Sequence, residues 1–228
     1  MRKLFVILFA ITLQACNCHS QYKVNIIPDS LIRVDAQDTE EAWSHATRIT
    51  SFTNPWNKEV SPETSLSILK DTKYLYFYFN IKDNEILVEP NFSTERDIEK
   101  EDRAELFFSK KSDMSEYYCF EMDAKGRVLS YAAQYYRQFN FNWEPPEGFS
   151  IATDRNSHGY TIEGSIPLKF ILNLSGSNSI YFGAYRTEFS RRNSFTIENW
   201  LTWIDPKTAV PDFHVPNSLG ILKLSKEK

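Results

Sequence analysis

The chain has 228 residues, of which 15% are aromatic and only seven are glycine, and its formal net charge at pH 7 is −4. This aromatic content can fill a substantial core without disulfide bonds, and the three cysteines provide no disulfide framework. A mildly acidic chain without a basic stripe argues against nucleic acid as a partner.

The first fifteen residues have the form of a secretory signal. Residues 1–3 are basic at two positions, and the apolar run 4–13 is too short to cross a bilayer comfortably. The segment Leu-Gln-Ala-Cys at 13–16 resembles a bacterial lipobox, whose cysteine becomes the acylated N-terminus; the alternative is ordinary signal cleavage. We predict a signal peptide over residues 1–15, lipidation of Cys16, and membrane anchoring in the bacterial cell envelope, at the outer membrane or periplasmic face.

The N-terminal part of the mature chain carries weaker structural signals. Residues 23–27 predict an edge strand, and residues 39–46 predict a helical turn that points Trp43 inward. Strand signals become clear at 65–68 and 74–81, because polar and apolar residues alternate there. The second of these runs is apolar on one side and tyrosine-rich on the other, as is typical of a central sandwich strand.

The charged stretch 83–102 predicts a long loop with at most a short strand, and loops of this length are often functional. Residues 103–108 alternate again, so Arg103 and Glu105 share the face opposite the core. The next two strand patterns, 116–122 and 127–136, predict a hairpin. Cys119 lies in its first strand and is expected to be a buried free thiol.

The C-terminal half continues the pattern of short strands. Residues 139–148 form an aromatic and proline-containing loop, residues 159–166 and 179–190 predict strands, and three prolines mark a loop before a last apolar run at 221–224. Without an internal repeat, a long linker or a long helix after the signal, the pattern predicts one all-β domain over residues 16–228, an antiparallel jelly-roll-like β-sandwich.

Several segments, taken in order, resemble the family 9 carbohydrate-binding modules. The opening Val34-Asp35-Ala36-Gln37-Asp38 leads to Trp43 and Ala46, and Asp71 to Tyr76 resembles the start of a central family strand. The remaining matching segments are 101–107, 116–126, 185–188, 203–206 and 213–220. Together they extend over nearly the whole mature chain. The resemblance implies a sandwich that holds a poly- or oligosaccharide between aromatic rings and charged side chains, without chemistry of its own.

The resemblance implies a set of ligand-binding residues: Arg103, Glu105, Arg186, Trp203, Phe213 and His214. For each one a structural interpretation stays open. Arg103 and Glu105 could form a surface salt bridge, Trp203 could pack beneath the loop, and His214 could be a loop histidine bonded to backbone. Asp102 is expected to accept hydrogen bonds from loop amides.

One part of the family's aromatic clamp is missing from this sequence. The run 99–101 before Asp102 is charged where the better-defined modules have a tryptophan, and Trp143, Tyr135 or Trp56 could supply the missing ring. The resemblance also leaves room for a structural calcium ion, for which residues 83–89 offer oxygens without ordered spacing. No other cofactor is expected.

Two other functions remain as alternatives. A haem-binding electron-transfer domain would need axial ligands on facing strands, which the methionines and histidines do not provide in the sequence pattern. A weak glycoside hydrolase would need two carboxylates across a cleft, and no motif for catalysis stands out, so any hydrolysis should come from partner glycoside hydrolases. Enzymatic activity is therefore left undecided, with a binding role favoured.

Overall fold

A computed structural model describes residues 20–58, 62–192 and 195–226. The predicted signal peptide, the lipidation site Cys16 and its neighbour Cys18 lie outside these residues. Among the described residues, no helix combines the length and the apolar character that a membrane span requires.

The described chain is built almost entirely of strands. They are β1 (Gln21–Ile26), β2 (Arg48–Ile49), β3 (Thr64–Lys70), β4 (Tyr74–Lys82), β5 (Arg103–Ser109), β6 (Tyr117–Asp123), β7 (Val128–Gln134), β8 (Gln138–Asn140), β9 (Ser150–Asn156), β10 (Gly159–Pro167), β11 (Ser179–Arg192), β12 (Phe195–Thr202) and β13 (Gly220–Leu224). The helical elements are α1 (Leu168–Ser175) and the 3-10 helices Glu41–His45, Glu95–Lys100 and Pro216–Ser218. The all-β prediction is confirmed.

The strands form one curled sheet that folds into two layers. Its order is β8-β7-β6-β5-β11-β13-β1-β3-β4-β10-β9, with β12 paired to β11 and β2 paired to β3. We call β5–β8 with β11–β13 the front layer, and β2–β4 with β9 and β10 the back layer. The first half of β1 pairs with β13 and its last two residues pair with β3, so β1 joins the layers.

The prediction of an edge strand near the N-terminus is wrong, because β1 has a neighbour on both sides. Both of its pairings are parallel, whereas the other pairings among the described strands are antiparallel. Its partners β13 and β3 are distant in sequence, so the residues of β1 alone could not predict these pairings. The Tyr22 hydroxyl accepts a hydrogen bond from the Ile68 amide at 2.9 Å, which ties the strand to β3.

The main core lies between the two layers and follows the predicted alternation. Leu75, Phe77, Phe79 and Ile81 of β4 are buried there, together with the inward residues of β5 and β11. Gly164 of β10 makes room for one of these rings, since a Cβ at that position would lie 2.2 Å from Phe77 Cζ. Burial of many such rings is the main source of stability in a domain of this size.

Local elements agree with the sequence predictions in most places, but some strands were missed. The predicted hairpin is present as β6 and β7, Trp43 is buried, and Cys119 is a buried free thiol. The stretch 83–102 contains a 3-10 helix and no strand at 86–88, which agrees with the expectation of at most a short one. Strands β8, β9 and β12 were not predicted. β12 was not predicted because the three prolines near the C-terminus suggested a loop. The first of them, Pro206, lies after the end of the strand at Thr202.

The outer face of the front layer is covered by loops. A second aromatic cluster lies there, and it includes Phe107, Tyr117, Tyr185 and Phe213. The 3-10 helix Glu95–Lys100 packs over β6 and β7, and Phe213, which belongs to the loop between β12 and β13, stacks on Tyr185 of β11. These covering segments leave one recess open above the sheet.

Candidate functional site

The recess above the front layer is a cavity of about 350 Å³. We call it the front pocket. It is lined by Arg96, Glu99, Arg103, Glu105, Glu121, Tyr131, Arg137, Phe139, Phe141, Glu198, Trp200, Pro211, Asp212, Phe213 and His214. Strands β5, β6, β7 and β12 form its floor, and the loops around them form its walls.

The floor brings two carboxylates together across neighbouring strands. Glu105 of β5 is directly opposite Glu121 of β6 in the sheet register, and like charges in that relation repel each other. Arg103 lies between them, with its Nε 2.9 Å from Glu105 Oε1 and 2.8 Å from Glu121 Oε2. The guanidinium therefore offsets the repulsion. All three side chains are buried.

Arg103 also ties the floor to the covering helix. Its Nη1 donates to the carbonyl oxygen of Glu99 at 3.1 Å, with longer contacts to those of Ile98 and Glu101 at 3.4 Å. The Nη2 nitrogen makes no hydrogen bond with the described residues, and neither does Glu105 Oε2. These two atoms remain available to a ligand in the front pocket.

Protonation of the floor is set by burial. Desolvation, followed by the nearby Glu121 carboxylate, raises the pKa of Glu105 to about 8. Burial thus opposes the ionised form of Glu105, whereas the Arg103 guanidinium 2.9 Å away favours it. Burial, with a smaller effect of Arg137, lowers the pKa of His214 to about 3, so this ring is neutral at pH 7.

This protonation makes stability depend on pH. In the unfolded chain a glutamate titrates near about 4.3, whereas folded Glu105 holds its proton until about pH 8. The stabilisation is thus complete below the unfolded pKa and is lost as pH rises through the folded one. We expect the free energy of unfolding to fall between pH 6 and 8, with a contribution from Glu105 that approaches ~1.4 kcal/mol per pH unit. Urea unfolding across this range measures it.

The matched variant for that measurement is Glu105→Gln, which keeps the size of the side chain and cannot titrate. Asp102, with a pKa raised by burial to about 8, and Glu101 and Glu163, raised by burial to about 7, contribute in the same direction and remain in both proteins. The variant should therefore show a shallower decline with pH. Identical slopes for the two proteins would contradict the assignment of the proton to Glu105.

Aromatic rings form the walls of the front pocket. The Trp200 ring lies 5.5 Å from Phe213, edge to face, and 5.7 Å from the Arg103 guanidinium carbon. Phe139 and Phe141 lie on the other side, with centroids 5.3 and 5.2 Å from the Tyr131 ring. Trp200, Phe139 and Phe141 are only partly buried. They therefore offer apolar surface to a ligand.

Ion pairs surround the mouth of the front pocket. Arg96 contacts Glu99 at 3.0 Å, and Arg137 contacts Asp212 at 2.8 Å. The Glu198 side chain is exposed and makes no ion pair or hydrogen bond with the described residues. The site thus combines apolar walls with charged groups that are mostly paired, an arrangement suited to a ligand that has both apolar and hydroxyl-bearing faces.

Four of the six predicted site residues meet at the front pocket: Arg103, Glu105, Phe213 and His214. Arg103 and Glu105 do form a salt bridge, but the prediction of a surface pair is wrong, because covering loops bury both residues to within 4% exposure. Phe213 stacks flat on Tyr185 with ring centroids 4.3 Å apart, so one face of the Phe213 ring is covered and only the other could contact a ligand. His214 Nδ1 pairs with the Tyr117 hydroxyl at 3.1 Å rather than with backbone.

The other two predicted residues lie elsewhere. Arg186 is fully buried between the layers, where its Nη2 donates to Asp83 Oδ2 at 2.8 Å. Trp203 packs on Phe182 of the main core at 5.9 Å and lies against Gly220, where a Cβ would clash with its ring. Their roles in ligand binding stay predictions, and the fold does not bring them to the front pocket.

The rings of the front pocket are different from those that sequence reasoning proposed. Trp143 packs on Tyr118 at 4.9 Å, away from the pocket. Trp56 donates to the Thr208 carbonyl, and Tyr135 does not line the pocket. Sequence reasoning missed Trp200, Phe139, Phe141 and Arg137 as pocket residues. The alternation of Phe139 and Phe141 next to a strand is a signal that could have identified two of them.

Asp102 has the predicted structural role. Its carboxylate accepts the Phe189 amide at 2.6 Å and the Leu87 amide at 2.5 Å, which fixes the loop 83–102 to β11. The loop 83–89 does not fit a calcium ion in this structure. Asp83 is paired with Arg186, Glu85 accepts the Arg191 amide, and Glu89 accepts the Asn91 amide. Within the described ranges, no cluster of three or more acidic, histidine or cysteine residues could hold a metal ion.

Comparison with known proteins gives a family match and several similar structures. The profile of the family described as carbohydrate family 9 binding domain-like matches residues 34–227. A family 9 carbohydrate-binding module from Caldicellulosiruptor kristjanssonii in complex with cellotriose has a TM-score of 0.65 and 13% identity, covering 92% of this chain and 95% of the module. The entire chain of a protein from Bacteroides uniformis, assigned as carbohydrate-binding, aligns with 91% of this one at a TM-score of 0.71 and 14% identity.

A Caldicellulosiruptor kristjanssonii family 9 module in complex with glucose is also similar, with a TM-score of 0.55 and 15% identity over 92% of this chain and 97% of that one. At these identities the likeness shows the fold. No curated protein matches the chain.

Proposed function

Because the chain belongs to the carbohydrate family 9 binding domain-like family, we propose that it binds a saccharide in the front pocket. The structural relatives solved with glucose and cellotriose support this proposal. The observation that carries it is the arrangement of a partly exposed Trp200 ring beside the buried Arg103 and Glu105.

Each part of the front pocket suits a different face of a sugar ring. The C–H face of a pyranose packs on an aromatic surface, and Trp200 with Phe139 and Phe141 provides such surfaces. The hydroxyl groups require donors and acceptors at fixed positions. Arg103 Nη2 and Glu105 Oε2 offer both, and a charge-assisted bond from the guanidinium is stronger than a neutral one.

The experiment is isothermal titration calorimetry of residues 20–228 with neutral mono- and trisaccharides of glucose, xylose, mannose, galactose and N-acetylglucosamine. We expect saturable binding of at least one sugar, with an affinity loss of at least ten-fold in Arg103→Met, because removal of a partner from a buried charged network is costly. Thermal melting shows whether the variant is folded. Absence of binding by the wild type across all these sugars would contradict the proposal.

The cellular setting that we propose follows from the N-terminal sequence. An acylated Cys16 would hold the domain at the bacterial cell envelope, where it would capture polysaccharide for breakdown by secreted glycoside hydrolases. The lipobox resemblance supports this setting. Metabolic labelling with an alkyne fatty acid should mark the full-length protein and leave Cys16→Ser unlabelled; equal labelling of both would contradict it.

A further inference from the structure

We propose that the front pocket continues onto an exposed platform formed by Tyr135 and Tyr136, and that this platform binds the sugar unit next to the one in the pocket. The ligand is then an oligosaccharide or a polysaccharide segment rather than a single sugar. This inference rests on the proposed function and adds a second subsite to it. The platform lies in the turn between β7 and β8.

The two tyrosines are unusual in their exposure. Tyr135 is 48% exposed and Tyr136 is 51% exposed, which makes them the most exposed aromatic residues in the described part of the chain. Their ring centroids lie 5.4 Å apart at an interplanar angle of 66°. Adjacent aromatic surface left open to water next to a pocket is a characteristic of binding sites.

Tyr136 is joined to the front pocket by two of the residues that line it. Its hydroxyl donates to Asp212 Oδ2 at 2.7 Å, and Arg137 Nε donates to the same hydroxyl oxygen at 3.0 Å. Arg137 Nη2 then closes the triangle with Asp212 Oδ1 at 2.8 Å. The platform is therefore continuous with the mouth of the front pocket, and its ring is already held in place, which reduces the entropy lost on binding.

Arg137 supplies the polar contact that a sugar at this position would need. Its Nη1 has no hydrogen bond with the described residues, although Nε and Nη2 are both engaged. The backbone of Arg137 has φ of 55°, in the left-handed region that non-glycine residues rarely adopt. Strain of this kind is often found at functional sites.

The front pocket is too small to enclose an extended ligand completely. Its volume of about 350 Å³ is near the lower end of the range for small-molecule sites, about 300–1,000 Å³. A longer saccharide must leave through the mouth, where Arg137 and Asp212 stand. The Tyr136 ring, which these two residues hold by hydrogen bonds, offers exposed aromatic surface beside them.

The test compares a monosaccharide with its trisaccharide by calorimetry, using glucose with cellotriose, xylose with xylotriose and N-acetylglucosamine with its β-1,4 trimer. For whichever pair binds, we expect the wild type to bind the trisaccharide about ten-fold more tightly. Tyr136→Ala should weaken trisaccharide binding about five-fold, in the range of one stacking contact, and should weaken monosaccharide binding much less, because Tyr136 reaches the front pocket only through its hydrogen bonds to Arg137 and Asp212. Leu172→Ala, which also trims an exposed apolar side chain but on α1, should change neither affinity.

The outcomes separate this inference from the proposed function. If the monosaccharide and trisaccharide bind equally, or if Tyr136→Ala leaves trisaccharide affinity unchanged, the platform is not a subsite although the pocket is. If Tyr136→Ala weakens both sugars equally, the tyrosine acts by positioning Arg137 and Asp212, and the subsite is again excluded. If no sugar in any pair binds, the proposed function fails first.

Discussion

Replacement of Trp200 by alanine should weaken saccharide binding by about 30-fold, the largest effect that we expect on affinity. The ring is partly exposed in the front pocket, close to the Arg103 guanidinium. Truncation of a central aromatic anchor typically costs 2 kcal/mol or more of binding energy, which corresponds to roughly 30-fold in the dissociation constant. Calorimetry with the sugar that binds the wild type best measures the change, and Trp200→Phe should recover part of it.

The matched control is Trp203→Ala, three residues further along the chain. Trp203 packs on Phe182 in the main core and lies outside the front pocket. Because Trp203 is only partly buried, its removal should lower the free energy of unfolding by about 3 kcal/mol, at the lower end of the range for core aromatic side chains, and leave the affinity of the folded fraction unchanged. If Trp203→Ala reduced affinity while Trp200→Ala did not, the binding site would lie at the other tryptophan and our assignment would be wrong.

The two tryptophans illustrate what the sequence can and cannot predict. Aromatic residues near the C-terminus mark a region of interest, and the family resemblance directs attention to Trp203. The distinction between them depends on β12, which ends at Thr202. On this strand Leu201 points into the main core, so Trp200 points to the outer face. Without the strand assignment, this alternation could not be applied.

Burial of the pocket floor was also beyond sequence reasoning. Alternation on β5 correctly puts Arg103 and Glu105 on the face opposite the core. Whether that face meets water depends on the helix Glu95–Lys100 and on residues 211–214, which come from distant parts of the chain. The alternation within one strand carries no information about segments that cover its outer face. Arg103 and Glu105 were therefore predicted to be a surface pair, whereas in the structure both are buried.

The burial of Arg186, in contrast, could have been predicted from the alternation of residues along β11. Arg186 has the same parity on β11 as Phe182 and Ala184, and alternation therefore places it in the main core. A charge buried there needs a partner. The guanidinium finds Asp83 Oδ2 at 2.8 Å, the Lys82 carbonyl at 3.0 Å and the Thr64 hydroxyl at 3.1 Å.

We expect Arg186→Met to lower the free energy of unfolding by about 3–5 kcal/mol, the usual cost of removing one partner from a buried ion pair. The variant would leave the Asp83 carboxylate, which is only 4% exposed, with the Glu85 amide as its remaining hydrogen-bond donor. Urea unfolding monitored by tryptophan fluorescence measures the change. The exposed pair Arg33–Asp35 provides a control, since Arg33→Met should cost less than about 1 kcal/mol.

A double-mutant cycle with Asp83→Leu distinguishes the ion pair from simple packing. If the cost of Arg186→Met arises from an uncompensated carboxylate, the double variant should be more stable than the sum of the single changes predicts, by about 1–3 kcal/mol. Additive effects would contradict this account. Saccharide affinity gives an independent readout: because Arg186 joins the front layer to the back layer away from the front pocket, a folded variant should bind sugar as the wild type does. A selective loss of affinity would instead restore Arg186 to the binding site.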